Sequence, residues 1–185
     1  MIDISSRKNI NIRDKRISII GLGLSGTEAA KLANHLGAIV FASDASMDEK
    51  VCTHSMELMH THHIASETGI HSDKIYDADL WIISPGIPKD SEIVLKAAQK
   101  KIPIVGEIEF ASWFNNDPII AVTGSNGKTT TSNMLYKMCQ SKEIIGTMAG
   151  NMGIPFSERV LNNIKDPKEN ILYLLEISSF QLEFI

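Results

Sequence analysis

The sequence predicts an α/β protein built on parallel sheets, and three observations carry that expectation. Short apolar runs alternate with stretches of helical period along the chain, the pattern of strands joined by crossover helices. Two glycine-rich loops each sit between an apolar run and a helical stretch. A polar, turn-prone break, Asn115-Asn116-Asp117-Pro118, precedes a fresh apolar run and divides the chain into a first domain over residues 1–116 and a second over 117–185.

Ile17 to Ile20 is the first expected strand. Ala29, Ala30, Leu32, Ala33 and Leu36 recur on one helical face, and Gly37 stops that helix. A second strand covers Ala38 to Ala42 and closes at Ser43-Asp44, whereas Met47 to His71 shows neither period clearly. Leu80-Trp81-Ile82-Ile83 is a buried strand ended by Ser84-Pro85-Gly86, Glu92 to Lys101 a helix, and Ile104-Val105 the start of a short strand. Ile108, Ala111 and Phe114 mark one face of a further helix; Trp81 and Trp113 are packing residues.

Beyond the break, Ile119 to Val122 is a strand, and Lys128 to Cys139 a helix. Met134, Leu135, Met138 and Cys139 are read as one apolar stripe, which places Cys139 in the core. Ile171 to Leu175 is apolar on both faces, as in a strand inside a parallel sheet. The stretch from Asp117 to Ile185 is too short to flank that strand and cover both its faces. The second domain is therefore expected to be incomplete, with this strand at or near an unprotected edge.

Composition narrows the function classes. Hydrophobic residues at 43% and charged residues at 22% fit a globular chain and exclude disorder. A net charge of −4 supplies no positive field to gather nucleic acid or an anionic membrane, so a phosphate site has to be built locally. Cys52 and Cys139 are far apart and form no zinc or redox spacing, which suits a reducing cytoplasm. The basic residues Arg7, Lys8, Arg13, Lys15 and Arg16 ahead of Ile17 to Leu24 imitate a signal peptide. That apolar run leads into a glycine loop and is too short to cross a bilayer, so a cytoplasmic protein without an obligate protein partner is expected. His54, His60, His62 and His63 lie near Cys52, but no second ligand pair has zinc spacing, and the stretch reads as solvated surface.

Two loops and one acid can carry chemistry. Thr123-Gly124-Ser125-Asn126-Gly127-Lys128-Thr129 follows a strand and opens a helix, the context in which backbone N–H groups converge on phosphate oxygens. Lys128 would reach the β- and γ-phosphates and the Thr129 hydroxyl would bind Mg²⁺; Val122 stands where the strict P-loop pattern has glycine, so the loop is a variant. The fold class of this part is P-loop NTPase-like α/β. Gly21-Leu22-Gly23-Leu24-Ser25-Gly26 also joins a strand to a helix, and Asp44 ends the next strand, as a ribose-binding acid would in a Rossmann-like domain. Taken alone these residues suit NAD or another nucleotide diphosphate. Glu176 ends the Ile171 strand, on the edge where ligands gather in an open parallel sheet, and could hold Mg²⁺ or be a solvated acid. Asn151 sits in another loop after a strand, where turn asparagines are also common.

These motifs in order resemble the Mur ligase family, which builds the peptide of bacterial cell-wall precursors. The resemblance rests on Gly21 to Gly26, on the run from Ala121 to Thr130, and on Leu175-Glu176-Ile177-Ser178-Ser179-Phe180-Gln181-Leu182-Glu183, the last of which resembles the D-glutamate-adding branch. Ser84-Pro85-Gly86-Ile87 and Gly106-Glu107-Ile108-Glu109 match as well, so it covers nearly the whole chain from Ile17. It implies ATP-dependent joining of D-glutamate to UDP-N-acetylmuramoyl-L-alanine through an acyl phosphate, with ATP and Mg²⁺ as cofactors.

By the resemblance, Gly23, Leu24, Ser25, Gly26 and Asp44 fall to the UDP moiety, Ser84, Pro85 and Gly86 to its diphosphate and sugar, and Asn151 and Ser178 to the substrate. Gly124, Ser125, Asn126, Gly127, Lys128, Thr129 and Thr130 fall to ATP. Lys128 and Glu176 are then catalytic, and Thr129 and Glu176 metal-binding. After the acid the family usually has threonine and arginine where this chain has Ala45-Ser46, so the uridine contacts there are not carried over. The family's carbamylated lysine, metal-binding histidine and third domain have no counterpart in the sequence, and the chain by itself is expected to be inactive. Two rival readings remain: an NAD-dependent oxidoreductase, which leaves Gly127-Lys128-Thr129 and Glu176 unused, and a non-catalytic nucleotide-binding fragment.

Overall fold

A computed structural model describes residue 2 and residues 10–140, 143–151 and 153–185; the basic Arg7 and Lys8, and Met152 beside Asn151, lie outside the described residues. Two parallel sheets account for the strands. The first runs β1 (Arg16–Ile20), α1 (Leu24–His35), β2 (Ile39–Asp44), α2 (Glu49–His62), β3 (Ala65–Thr68), β4 (Leu80–Ile83), α3 (Glu92–Gln99), β5 (Ile104–Gly106) and α4 (Glu107–Ser112). A single 3₁₀ turn, Asp73–Tyr76, stands between β3 and β4. The spatial order is β3-β2-β1-β4-β5, which reverses direction between β1 and β4 and opens the crevice where such sheets hold ligands.

Alternation along the central strands explains the layering. Ile17, Ile19, Leu80 and Ile82 join one core cluster with α1 residues Ala29, Leu32 and Ala33, while Ile20, Trp81 and Ile83 face the opposite side with Val94 and Ala97 of α3. Both faces of β1 from residue 17 on and of β4 are thus buried, with Ser18 the one polar side chain, as in a strand covered by helices on either side.

The second sheet comprises β6 (Ile119–Val122), α5 (Lys128–Met138), β7 (Ile145–Gly150), α6 (Phe156–Lys165), β8 (Ile171–Glu176) and the single turn α7 (Ser179–Leu182), in the order β6-β8-β7. Phe156, Val160 and Leu161 of α6 and Tyr173 and Leu175 of β8 join the same core cluster as Ile17 and Leu32, so the two sheets share one hydrophobic interior. Among the described residues no helix is long and apolar enough to cross a membrane.

Two expectations are corrected, and one unassigned stretch gains its elements. The Ile171 strand is not at an edge: β8 pairs with β6 through Ile119↔Tyr173 to Val122↔Glu176 and with β7 through Ile145↔Ile171 to Gly150↔Glu176, which leaves β6 and β7 as the edges. The crossover through α6 inserts the last strand between the two earlier ones, and no local pattern announces that. Cys139 is half-buried rather than in the core, and the apolar stripe of α5 is split. Ser132 is buried with Lys128, Leu135 and Cys139 half-buried along the same face, whereas Met134 and Met138 are 63% and 78% exposed. Finally, Met47 to His71 holds α2 and β3; only Ser55 and Leu58 of α2 are buried, too few to print a helical period.

Candidate functional site

At the carboxyl edge of the first sheet, three strand ends converge on the loop Gly21 to Gly26. Gly21 N–H donates to the Ser43 carbonyl at 2.8 Å, which anchors the loop to the end of β2. The Asp44 carboxylate accepts the Leu22 N–H at 2.6 Å through Oδ2 and the Ser46 N–H at 2.8 Å through Oδ1. The Ser84 hydroxyl, at the end of β4, donates to the Gly21 carbonyl at 3.2 Å. Gly26 has to be glycine, because a Cβ there would stand 1.9 Å from the Gly21 oxygen; its lack of a side chain lets α1 start directly under the loop. Gly23 and Leu24 are exposed and Ser25 half-buried. Pro85 is half-buried and Gly86 exposed beside them.

Two histidines join this edge that sequence reasoning did not assign to it. His54 of α2 donates its Nδ1 hydrogen to the Leu22 carbonyl at 2.8 Å. It was visible only as part of a rejected metal set, and a correct reading of α2 would have placed it four residues before the buried Leu58. The His71 Nδ1 lies 2.7 Å from the buried Ser43 hydroxyl, which is also 2.8 Å from Glu67 Oε1. Burial pushes the His71 pKa down, against the pull of Asp44 and Glu67. Nothing in the sequence singles out His71 or Glu67, because they meet Ser43 only through the β2–β3 register Ser43↔Glu67. Among the described residues no group of three His, Cys, Asp or Glu side chains is arranged to hold a metal.

The second sheet builds its own edge. Gly127, at φ +77°, is the N-cap of α5, and a Cβ there would meet nothing within 4 Å, so the backbone of the loop stands open. Gly124, Ser125, Asn126, Thr129 and Thr130 are exposed around it. The Lys128 ammonium donates to the Gly124 carbonyl at 2.6 Å and is thereby held across the loop. The start of an eleven-residue helix adds a partial positive charge to the same place.

Glu176 ends β8 level with Val122 and Gly150, its register partners on either side. It is 2% exposed and therefore not a solvated acid. Oε1 accepts from the Asn151 side-chain amide at 3.3 Å, and the Asn151 N–H donates to the Glu176 carbonyl at 2.7 Å, while buried Oε2 has no hydrogen-bond partner among the described residues. A buried carboxylate oxygen left unpaired is costly unless something positive meets it, so Glu176, with the exposed hydroxyl of Thr129 on the same edge, fits a hard divalent cation. Ser178 is engaged locally: its hydroxyl accepts the Gln181 N–H at 3.3 Å while Gln181 Oε1 accepts the Ser178 N–H at 2.9 Å, a capping box on α7.

The expected residues thus form two groups, Gly23 to Gly26, Asp44 and Ser84 to Gly86 on one edge, and Gly124 to Thr130, Asn151, Glu176 and Ser178 on the other. The chain after Glu176 joins them, since Gly106 N–H donates to the Phe184 carbonyl at 2.8 Å. A cleft of about 430 Å³ lies between the segment Pro85 to Asp90 and the side chains of Phe180 and Glu183.

Comparison with known proteins places these features in a family. Residues 16–93 match the MurD N-terminal domain and residues 122–183 the Mur ligase middle domain. The chain is 40% identical over 176 residues to a UDP-N-acetylmuramoylalanine–D-glutamate ligase of Chloroherpeton thalassium, covering 93% of this chain and 36% of that protein. To the ligase of the same name from Streptococcus sanguinis it is 35% identical over 178 residues, covering 95% of this chain and 38% of the relative. The chain therefore spans a little over a third of the length of these curated relatives. A murein peptide ligase from Psychrobacter arcticus shares the fold, with a TM-score of 0.53 at 20% identity over 88% of this chain and 37% of that one. With two successive ligase domains matched in order and the glycine loops and Glu176 on their sheet edges, the chain belongs to the Mur ligase family.

Proposed function

We propose that this chain supplies the UDP-substrate edge and the ATP loop of a cytoplasmic ligase that joins D-glutamate to UDP-N-acetylmuramoyl-L-alanine. The observation that carries the reading is Glu176: a buried carboxylate with an unpaired oxygen, in strand register with the residue before the Lys128 loop. Residues 1–116 act as the substrate domain and 117–185 as part of the ATP-binding domain in this proposal. A nucleotide-binding oxidoreductase has no use for that second edge.

A carboxylate is a poor acyl donor, and ligation begins by turning it into an acyl phosphate that the amine of D-glutamate attacks with loss of phosphate. The backbone N–H groups of Gly124 to Lys128 and the start of α5 hold the triphosphate. Lys128 leaves the Gly124 carbonyl for the transferring phosphoryl group and offsets the repulsion between two anions. At an effective dielectric of about 20, one charge pair at 4 Å contributes about 4 kcal/mol, roughly a thousandfold in rate when realised only in the transition state. Glu176 and Thr129 would hold Mg²⁺, which when bound neutralises phosphoryl oxygens. Asp44 shapes the first loop by fixing Leu22 and Ser46, and Gly23 to Gly26 with Ser84 to Gly86 offer backbone to the UDP diphosphate.

Titration calorimetry tests the reading. UDP or UDP-N-acetylmuramoyl-L-alanine is expected to bind the chain more tightly than NAD, and Asp44→Ala to weaken that binding. Tight NAD binding with no response to UDP compounds would overturn it.

A further inference from the structure

Glu107 is the most deeply buried acid that the proposed chemistry does not use. It opens α4 directly after β5, is 3% exposed, and its Oε1 accepts the backbone N–H of Ser157 in the first turn of α6, an element of the other sheet. That contact answers a local need. The first-turn N–H groups of a helix lack partners within it, and the N-cap of α6 is Pro155, which makes no side-chain cap. An acid from the first sheet fills that role with one of its oxygens. Among the described residues the second oxygen, Oε2, is buried and makes no hydrogen bond of good geometry, though the Ser157 hydroxyl is close enough to act on the carboxyl. The shared core runs through the same seam, with Phe156, Val160 and Leu161 of α6 packed among residues of the first sheet.

We propose that Glu107 is a positioning residue: its carboxyl fixes the edge carrying Lys128 and Glu176 against the edge carrying Asp44 and Ser84, and the seam it closes is tighter when that carboxyl is protonated. Its relevance to ligation rests on the function proposed above; the geometry does not. Burial pushes the Glu107 pKa up to about 7, against the opposing pull of the Ser157 backbone N–H and hydroxyl and the Phe156 N–H, with Glu28 adding to the rise. Among the described residues the charged and titratable groups around the seam are Glu28 and Lys31 of α1, Glu158 and Arg159 of α6, and Tyr173 of β8, whose ring packs on Phe156. Lys31 is already paired with Glu28 and Glu57, each at 2.7 Å, and Glu109 accepts from the Trp113 indole at 3.0 Å. Burial and Glu28 also raise the Glu158 pKa. Ionising Glu107 therefore puts a negative charge into a buried seam, where desolvation and Glu28 both oppose it. The seam loosens as pH rises through neutrality.

The native cysteines provide the test, since Cys52 lies on α2 of the first sheet and Cys139 at the end of α5 on the second, both half-buried. Nitroxide labels on both, read by pulsed dipolar spectroscopy at pH 5.5 and 8.5, report the spacing of the two units, and amide exchange of Ser157 reports the seam itself. In the parent chain the distance distribution is expected to broaden at pH 8.5. Ser157 protection, corrected for intrinsic exchange, should fall at least about tenfold. Glu107→Gln keeps the acceptor without the charge, so it should stay narrow and protected at both pH values; Glu107→Ala should be broad and unprotected at both. A parent indifferent to pH, or a Gln variant that titrates like the parent, overturns the proposal, and the parent–Gln pair decides it even where the Ala variant does not fold. Neither readout needs a ligand, so a failure to bind UDP compounds or ATP would count against the functional reading alone.

Discussion

Lys128 begins α5 with its ammonium 2.6 Å from the Gly124 carbonyl, a contact made within its own loop, on the sheet other than the one that carries Asp44 and the first glycine loop. In a full-length enzyme with the function proposed above, Lys128→Ala is expected to lower kcat by about a thousandfold while leaving UDP-substrate affinity within a few-fold of the parent. Steady-state kinetics and calorimetry on the same preparation check this. Turnover close to the parent's, or equal losses in activity and UDP affinity, would take the loop away from ATP. Gly26 makes a structural prediction on the opposite edge. With 1.9 Å between its added Cβ and a backbone oxygen, Gly26→Ala forces α1 away from the loop, and a loss of about 3 kcal/mol in urea unfolding is expected. At this scale the sequence was informative wherever the fold needs a special local backbone, as at Gly26 and Gly127. It was silent about Glu67 and His71, whose significance comes from a hydroxyl on a neighbouring strand.

Among the elements, α5 shows how far periodicity reaches. Its apolar residues announce a helix, but two adjacent pairs, Met134-Leu135 and Met138-Cys139, leave the inward direction undecided by about one residue, or 100° of rotation. The sheet turns Leu135 and Cys139 inward. Met134→Ser and Met138→Ser are accordingly expected to change stability by less than about 0.5 kcal/mol, whereas Leu135→Ala costs about 1 to 2 kcal/mol. Chemical denaturation of the three variants measures the contrast, and a large loss at Met134 would mean that its face is covered in solution. Strands β1 and β4 were legible because each holds a short run of buried, mostly apolar residues. α2 and β3 were not, since α2 buries only Ser55 and Leu58 and β3 pairs only with β2, at the sheet edge.

The whole molecule responds to pH through the seam between its sheets. An acid whose pKa is raised from 4.5 in the unfolded chain to about 7 in the fold keeps its proton in the folded state over that interval and loses it in the unfolded one. Its contribution to stability is therefore full below about pH 4.5 and is lost as pH rises through 7. The loss amounts to about 3 kcal/mol at most. Comparing the parent with Glu107→Gln in thermal or urea unfolding from pH 5 to pH 8 isolates the effect: the difference between them should move in favour of the variant as pH rises. A constant difference would show that Glu107 has the same pKa in both states. The sequence by itself determined the class of the fold, the two strand–glycine loop–helix junctions and Glu176 at a strand end, because these depend on period, backbone freedom and residues close together in the chain. Only the tertiary structure decided that β8 lies between β6 and β7, that Leu135 rather than Met134 turns inward, and that Glu107 meets Ser157 fifty residues later. Those outcomes are set by which surfaces exclude water from one another and which buried polar atoms find partners, and neither is written in any short stretch of chain.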